Sequence, residues 1–266
     1  MTGRLSGIRA VSLDFGNTLV PVDRTGLGRV VDVTARAVVE RSGPFALEDF
    51  LAIWAEERDR QFREEVPSFR EVDLRQRVVR VLARLRGMAA PGAEGRWDDG
   101  AAATYSDDTE VDFAVEAYSA AFVAGLPAAP AVAPLLERLS GRFRLAILSN
   151  WPLAATIDHY VDASGWRPFL GAVVVSQRVG TIKPHPSIFR ATEAALGLTE
   201  ADASSILHVG DDWAADIVGA KGAGWRAAYL RRRPEDSPLP ASVPDDGVLA
   251  DLEIDALDQL EVALAS

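Results

Sequence analysis

The chain has 266 residues, 48% of them hydrophobic and 25% charged, a balance ordinary for a soluble globular protein and enough chain to bury a large core. It contains no cysteine, which excludes a disulfide framework, a thiolate nucleophile and a cysteine-based metal site. A formal net charge of −11 argues against nucleic acid or an anionic membrane as the main partner, and any anionic substrate then needs a local source of positive charge.

No stretch approaches the roughly 20 uninterrupted apolar residues of a membrane span. The opening MTGRLSGIRAVSLDF lacks the apolar h-region of a secretory signal, so a cytoplasmic protein is expected. GIRAVSLDF predicts a strand ending at Asp14, broken by Gly16 and Asn17. From about Val22 to Gly125 the pattern turns helical and charged: LGRVVDVTARAVVE and LRQRVVRVLARL carry apolar residues at three- and four-residue spacing. Between them and the next helical run, GMAAPGAEGRWDDGAAATYSDDT is rich in Gly, Ala and Asp and predicts a loop. After GLPAAPAVAP, strands and helices alternate. FRLAILSN, FLGAVVVS, SSILHVGDD and RAAYLRR predict strands; PLAATIDHYVDASG, HPSIFRATEAALG and AADIVGAKGAG predict helices, before a final LEIDALDQLEVALA. Continuous apolar strands alternating with helices imply an α/β fold, a doubly wound parallel sheet. The expected organisation is a core of residues 1–21 and 126–266, interrupted after its first strand by a helical insert of residues 22–125.

Ligands of such sheets collect outside the carboxyl ends of the strands. Four strand ends here bear polar groups: Asp14, Ser149 with Asn150, the segment reaching Lys183, and Asp211 with Asp212. Asp14 and Asp211 offer the hard oxygen ligands that Mg²⁺ prefers. Ser149, Asn150 and backbone N–H groups at a helix start suit phosphate oxygens, and Lys183 adds a point charge for a transferring phosphoryl group. Asp14 would act as the nucleophile, forming an aspartyl phosphate that water cleaves.

The order D-x-x-x-T after an apolar strand, then ILSN, GTIKPHPSIF and VGDDWAADIVGAKGAG, resembles the haloacid dehalogenase-like hydrolase superfamily. The motifs run from Val11 to Gly224, and the insert matches the position of the helical cap of the C1 class. The resemblance implies a Rossmann-like core and a small phosphorylated metabolite as substrate. It implies Asp14 as nucleophile, Mg²⁺ held by Asp14, the backbone carbonyl of Gly16 and Asp211, and phosphate binding by Ser149 and Lys183. A carboxylate near Asp216 orients the lysine or a metal-bound water in the family. Gly16 departs from the pattern: most phosphatases of the superfamily carry there a second Asp that protonates the leaving alkoxide and activates water. Three accounts stand. One is a phosphatase that manages without the acid, similar to sugar-1-phosphatase-like members with D-x-G-N. Another is a metal-free 2-haloacid dehalogenase, which fits poorly because that branch has Tyr at this position and lacks the GDD carboxylate. The third is a weakened scaffold with a binding role. On the first account aryl and anomeric phosphates react best, and Gly16→Asp raises activity on alkyl phosphates.

Other residues have two readings. Gly16 and Asn17 tolerate positive φ; Thr18 either ties the turn or touches substrate, and Asn150 binds either phosphate or its own loop. Asp212 reads as a helix N-cap, His185 as a loop residue and His208 as a satisfied core histidine. In the insert, Arg77, Arg80 and Arg84 read as the solvated face of an amphipathic helix, and Trp54, Phe62 and Phe69 as packing. Asp23 and Arg24 sit where a hinge would begin, with Arg24 the candidate substrate contact.

Overall fold

A computed structural model describes residues 5–244 and 247–265. Among them no helix is long and apolar enough to cross a membrane. Six strands form one parallel sheet: β1 (Ala10–Leu13), β2 (Arg144–Ser149), β3 (Ala172–Val175), β4 (Ile206–Gly210), β5 (Arg226–Leu230) and β6 (Leu252–Ile254). Their order is β3-β2-β1-β4-β5-β6. The chain winds outward from β1 to β3, then returns to the other side of β1, so the switch point lies between β1 and β4. Leu13 pairs with both Ile147 and Val209, which brings the residues that follow these strands to one edge.

Five helices lie between β1 and β2: α1 (Arg24–Ser42), α2 (Leu47–Glu65), α3 (Leu74–Leu85), α4 (Asp99–Ala103) and α5 (Asp108–Gly125). The rest are α6 (Val132–Ser140), α7 (Ala154–Ala163), α8 (Ser176–Val179), α9 (Pro186–Ala195), α10 (Gly219–Gly222) and α11 (Gln259–Ala263). A π-type turn, Trp213–Val218, leads into α10. Strand residues alternate between two layers. Val11, Leu13, Ile147 and Val209 pack with Leu136 of α6, Ile157 of α7 and Leu260 of α11, while Ala10, Ala146 and Leu148 pack with Phe189 of α9 and Ile217.

Part of the acidic excess is spent on helix starts. The carboxylates of Asp23, Asp73, Asp98 and Asp107 accept backbone N–H groups at the beginnings of α1, α3, α4 and α5, each worth about 1 kcal/mol. The helix α5 is joined to α7: Ser119 and Thr156 hydroxyls lie 2.8 Å apart, and Tyr160 Oη donates to Leu126 O at 2.8 Å.

Three expectations for the insert need correction. The stretch read as a loop contains α4, and Trp97 from it is buried, donating Nε1–H to Glu57 at 2.8 Å. The arginines of α3 are not a solvated face: Arg77 and Arg80 are buried because α3 is packed between α2 and α5 with α4 against it. Arg80 forks onto Asp99 at 2.8 and 3.0 Å and Arg84 reaches Glu57 at 2.8 Å, whereas Arg77 lies over the Trp54 ring and has the neutral Gln61 as its hydrogen-bond acceptor. Trp54 packs in the core as expected, but Phe62 and Phe69 are exposed. Phe69 adopts positive φ at the start of the return to the core and accepts Ile182 N–H through its carbonyl at 3.0 Å.

Two residues past that turn, Glu71 is half-buried between insert and sheet. It accepts Val72 N–H at 2.9 Å and contacts the Ser176 hydroxyl, which itself accepts Trp151 N–H at 2.9 Å. Burial pushes its carboxyl up to about 7. A raised acid stabilises the fold fully below its unfolded value and loses that contribution as pH rises through about 7. Glu71→Gln is therefore expected to be more stable than the wild type at pH 8 by on the order of 2 kcal/mol, with the gain vanishing near pH 4. Urea unfolding of both proteins at several pH values measures the difference.

Candidate active site

The turn after β1 sets the site. Asp14 N–H donates to Val209 O at 2.8 Å, extending the β1–β4 ladder by one residue. Asn17 N–H then reaches Val20 O at 2.7 Å and Val20 N–H reaches Phe15 O at 3.0 Å. This ring leaves the Gly16 carbonyl outside the turn's own bonds, and Asn17 takes φ 60°, which Asn tolerates.

Lys183 stands at the centre. Its ammonium donates to Asp14 Oδ1 at 2.7 Å, Asp216 Oδ1 at 2.7 Å and Leu148 O at 2.9 Å, so all three of its protons are used. Asn150 holds the Lys183 peptide from both sides, accepting its N–H at 2.8 Å and donating to its carbonyl at 3.1 Å. Of its two readings, Asn150 thus follows the one that binds the loop. Ser149 is buried at the end of β2. Thr18 Oγ1 donates to Asp211 Oδ1 at 3.4 Å and Asn17 Nδ2 to Asp211 Oδ2 at 3.4 Å. Arg24, by contrast, is exposed at the first position of α1 and lines no part of the site cavity.

His208 is a satisfied core histidine with a consequence for the site. Burial lowers its pKa; Nε2 lies 3.0 Å from Asp216 Oδ1 and Nδ1 3.0 Å from Ser12 Oγ. Asp216 also accepts Asp212 N–H at 2.9 Å. Three of its roughly four lone-pair sites are therefore taken, by Lys183, His208 and the backbone, and it serves as an anchor for the ammonium. Asp212 caps the π-type turn, accepting Ala215 N–H at 3.1 Å, and His185 caps α9.

The charges are arranged unequally. Burial and the Asp216 charge push Asp14 up to about 6 despite Lys183 beside it. Burial, with Asp14 and Asp216, pushes Asp211 up to about 8. Burial alone would raise Asp216, but Lys183 and His208 hold it well below the usual carboxylate range. Carboxylate oxygens of Asp14, Asp211 and Asp216 lie within 4.8 Å of one another. The buried carboxylates of these three residues are an all-oxygen group that could hold a hard divalent cation.

Sequence reasoning passed over the segment after β5. Arg233 Nη1 lies 3.1 Å from Asp211 Oδ2, Asn17 Nδ2 donates to Ser237 Oγ at 3.0 Å, and Ser242 Oγ donates to Asp212 Oδ1 at 2.6 Å. Leu239 covers Gly16: a Cβ at position 16 would stand 2.6 Å from Leu239 Cδ1. Gly16→Asp therefore requires the Leu239 side chain to move before any gain on alkyl phosphates can appear. Above these groups is a cavity of about 90 Å³, walled by Asp14, Lys183, Asp211, Trp151, Leu239 and Pro240 among others. A larger hollow of about 360 Å³ opens at the opposite end of β2. Its charged wall residue, Arg144, is engaged with Leu196 O at 2.8 Å, which leaves it without the chemistry of the smaller cavity.

A doubly wound parallel sheet with a lysine bridging two buried carboxylates at its switch point defines an α/β protein of the Rossmann-like class. The family model for haloacid dehalogenase-like hydrolases matches residues 8–224, and the chain belongs to that family of hydrolases. It is 31% identical over 110 residues to pyrimidine 5'-nucleotidase YjjG of Escherichia coli, covering 40% of this chain and 48% of that one. It is 36% identical over 103 residues to phosphoserine phosphatase of Thermus thermophilus, covering 38% and 39%. The chain thus spans about half or less of the length of these two relatives. Among solved structures, 2-haloacid dehalogenase from Pseudomonas syringae superposes with a TM-score of 0.62 at 24% identity, covering 97% of this chain and 98% of that one. The magnesium-bound HAD-hydrolase YfnB from Bacillus subtilis gives 0.59 at 19% identity, covering 97% and 99%. At these identities the structures speak for the fold alone.

Proposed function

We propose that the protein is a Mg²⁺-dependent phosphatase acting on a small phosphorylated metabolite through an aspartyl phosphate on Asp14, with residues 22–125 as a C1-type cap on a core of residues 1–21 and 126–266. The observation that carries this reading is the pair of 2.7 Å contacts from Lys183 to Asp14 and Asp216, with the Asp211 carboxylate beside them. A site meant for a neutral carbon electrophile and a halide gains nothing from a second buried carboxylate next to its nucleophile. A site meant for a cation and a phosphoryl group does, and the relatives named nucleotidase and phosphoserine phosphatase act in the same direction.

Asp14, Asp211 and the Gly16 carbonyl would hold Mg²⁺, which supplies positive charge to the phosphoryl oxygens when bound. Asp14 Oδ2, the oxygen Lys183 leaves open, attacks phosphorus; the ester P–O bond breaks and the leaving oxygen takes its proton from water, since residue 16 has none to give. Water then attacks the acyl phosphate, releasing inorganic phosphate and restoring the carboxylate. Lys183 neutralises charge on the transferring group, and Asp216 with His208 keeps its ammonium in place. Ser149, the last residue of β2, would offer its hydroxyl to a phosphoryl oxygen.

The test is a pair of assays. Phenyl and p-nitrophenyl phosphates are expected to be hydrolysed with Mg²⁺ and to stop reacting with EDTA, while 2-chloropropionate releases no chloride. Halide release that ignores EDTA, with no phosphate ester turned over, would replace this reading with the dehalogenase one.

A further inference from the structure

Residues 231–242 run from the end of β5 across the site as a strap held by a few side-chain bonds. Arg231 N–H still donates to Ile254 O at 2.9 Å, in the register of the sheet. Beyond it, Ser237 Oγ accepts Asn17 Nδ2 at 3.0 Å, and Ser242 Oγ donates to Asp212 Oδ1 and accepts Ala214 N–H, both at 2.6 Å. Arg233 makes the charged tie. Its Nη1 lies 3.1 Å from Asp211 Oδ2, while the same guanidinium donates to Leu239 O at 2.9 Å and Pro240 O at 3.3 Å. Leu239 and Pro240 are the two residues that the strap contributes to the cavity wall. One side chain therefore both neutralises a site carboxylate and sets the wall above it.

Asp211 is otherwise thinly supported. Its neutral donors, Thr18 Oγ1 and Asn17 Nδ2, both stand at 3.4 Å. Lys183 is committed to Asp14, Asp216 and Leu148 O. Among the described residues, Arg233 is the cation paired with Asp211. A guanidinium and a divalent cation thus have claims on one carboxylate. A dication on either oxygen of Asp211 would stand beside a positive charge in a largely buried site, where like charges repel strongly. The antagonism runs both ways: by whatever factor Arg233 weakens metal binding, metal binding weakens the hold of Arg233 on Asp211.

Resting on the phosphatase reading, we propose that Arg233 is a displaceable counter-ion for Asp211, and that its displacement by Mg²⁺ loosens the strap over the cavity. The other two bonds of the guanidinium go to carbonyls of the strap itself, so without Asp211 it no longer joins strap to core. The wall then hangs on the neutral hydroxyls of Ser237 and Ser242. Metal occupancy and access to Asp14 become one event, and the order of binding is cation first, ester second.

The chain has no cysteine, so Asp236→Cys, at an exposed strap position, carries a fluorophore as a single label. In the full chain, adding Mg²⁺ is expected to lower the anisotropy of that label. Arg233→Met in the same background is expected to show low anisotropy already in EDTA and, by calorimetry, to bind Mg²⁺ about tenfold more tightly. Ser237→Ala cuts a strap bond without removing a charge; it should lower the anisotropy and keep the Mg²⁺ affinity of the parent. An Arg233→Met protein that binds Mg²⁺ no more tightly overturns the proposal. So does equal tightening in Ser237→Ala, or an anisotropy that holds or rises with Mg²⁺. In each of these cases Mg²⁺-dependent ester hydrolysis leaves the phosphatase reading standing, whereas a wild type that binds no Mg²⁺ overturns both.

Discussion

Asp14→Asn is expected to lower phosphatase turnover by roughly a thousandfold or more, since an amide cannot take the phosphoryl group, and at the same time to make the metal-free protein more stable at pH 8. The second half follows from the site's electrostatics. Burial and the charge of Asp216 lift Asp14 to about 6, so its ionised form is disfavoured in the fold even with Lys183 at 2.7 Å. A raised acid contributes its stability below the unfolded value near 3.8 and loses it as pH climbs through about 6. At pH 8 the wild type carries the whole penalty and the Asn variant none of it. Removing the charge also relieves Asp211, whose pKa is raised in part by Asp14, while Lys183 keeps Asp216 and Leu148 O. A gain of about 1–2 kcal/mol is expected in EDTA at pH 8, shrinking to nothing at pH 4. Adding Mg²⁺ should reverse the ranking, because the wild type alone then gains full binding free energy. Thermal unfolding of both proteins at two pH values, with and without Mg²⁺, measures each part. An Asn variant that is less stable at pH 8 in EDTA would show that Asp14 is a structural ion-pair partner and not a strained functional group.

The residues that make this site were legible to different degrees, and the reasons are physical. The strand ends at Asp14, Ser149 and Asp211 stood out because a buried parallel strand is a continuous apolar run, so its last residue before the loop is marked by the change in polarity. The convergence of Lys183 with Asp14 needed the motif order, since their 169-residue separation carries no local signal. His208 was readable as a core residue, but its bond to Asp216 depends on how the π-type turn lays its first residues back over β4. Arg77 and Arg80 were misread because a periodicity argument assigns every guanidinium to water. In the fold the acids that receive Arg80 and Arg84 come from α4 and α2, and long arginine stems fill space between helices. The segment RRRPEDSPLPAS offered no period at all. Its place over Gly16 is set by single tertiary bonds, Arg233 to Asp211 and Ser237 to Asn17, which only coordinates reveal. The absent side chain at position 16 and the leucine that covers it are therefore one feature, of which the sequence displays half.

Lys183→Met should produce the opposite stability effect from Asp14→Asn while also abolishing turnover. The ammonium is almost wholly buried and its three protons go to two carboxylates and a carbonyl. Burial would lower its pKa, but Asp14 and Asp216 pull it well above the usual lysine value, so the cation is held as firmly as the fold allows. With methionine there, Asp14 and Asp216 face each other with no buried cation between them, and Arg233 compensates Asp211 alone. Breaking a buried ion pair by removing one partner costs about 3–5 kcal/mol. That cost should be largest at pH 8 and fall toward pH 5, because the stranded carboxylates can relieve it by taking up protons, and a raised acid destabilises progressively as pH rises through its folded pKa. Turnover on aryl phosphates should fall by on the order of a thousandfold, the scale of losing one preorganised charge opposite the transferring group. Lys183→Arg separates charge from fit: a planar guanidinium keeps the cation but cannot place three protons on Asp14, Asp216 and Leu148 O at once. It should recover part of the stability and little of the activity. Urea unfolding at pH 5.5 and pH 8 alongside initial rates decides the matter, and a methionine variant as stable as the wild type at pH 8 would mean that Lys183 does not neutralise these carboxylates in the folded protein.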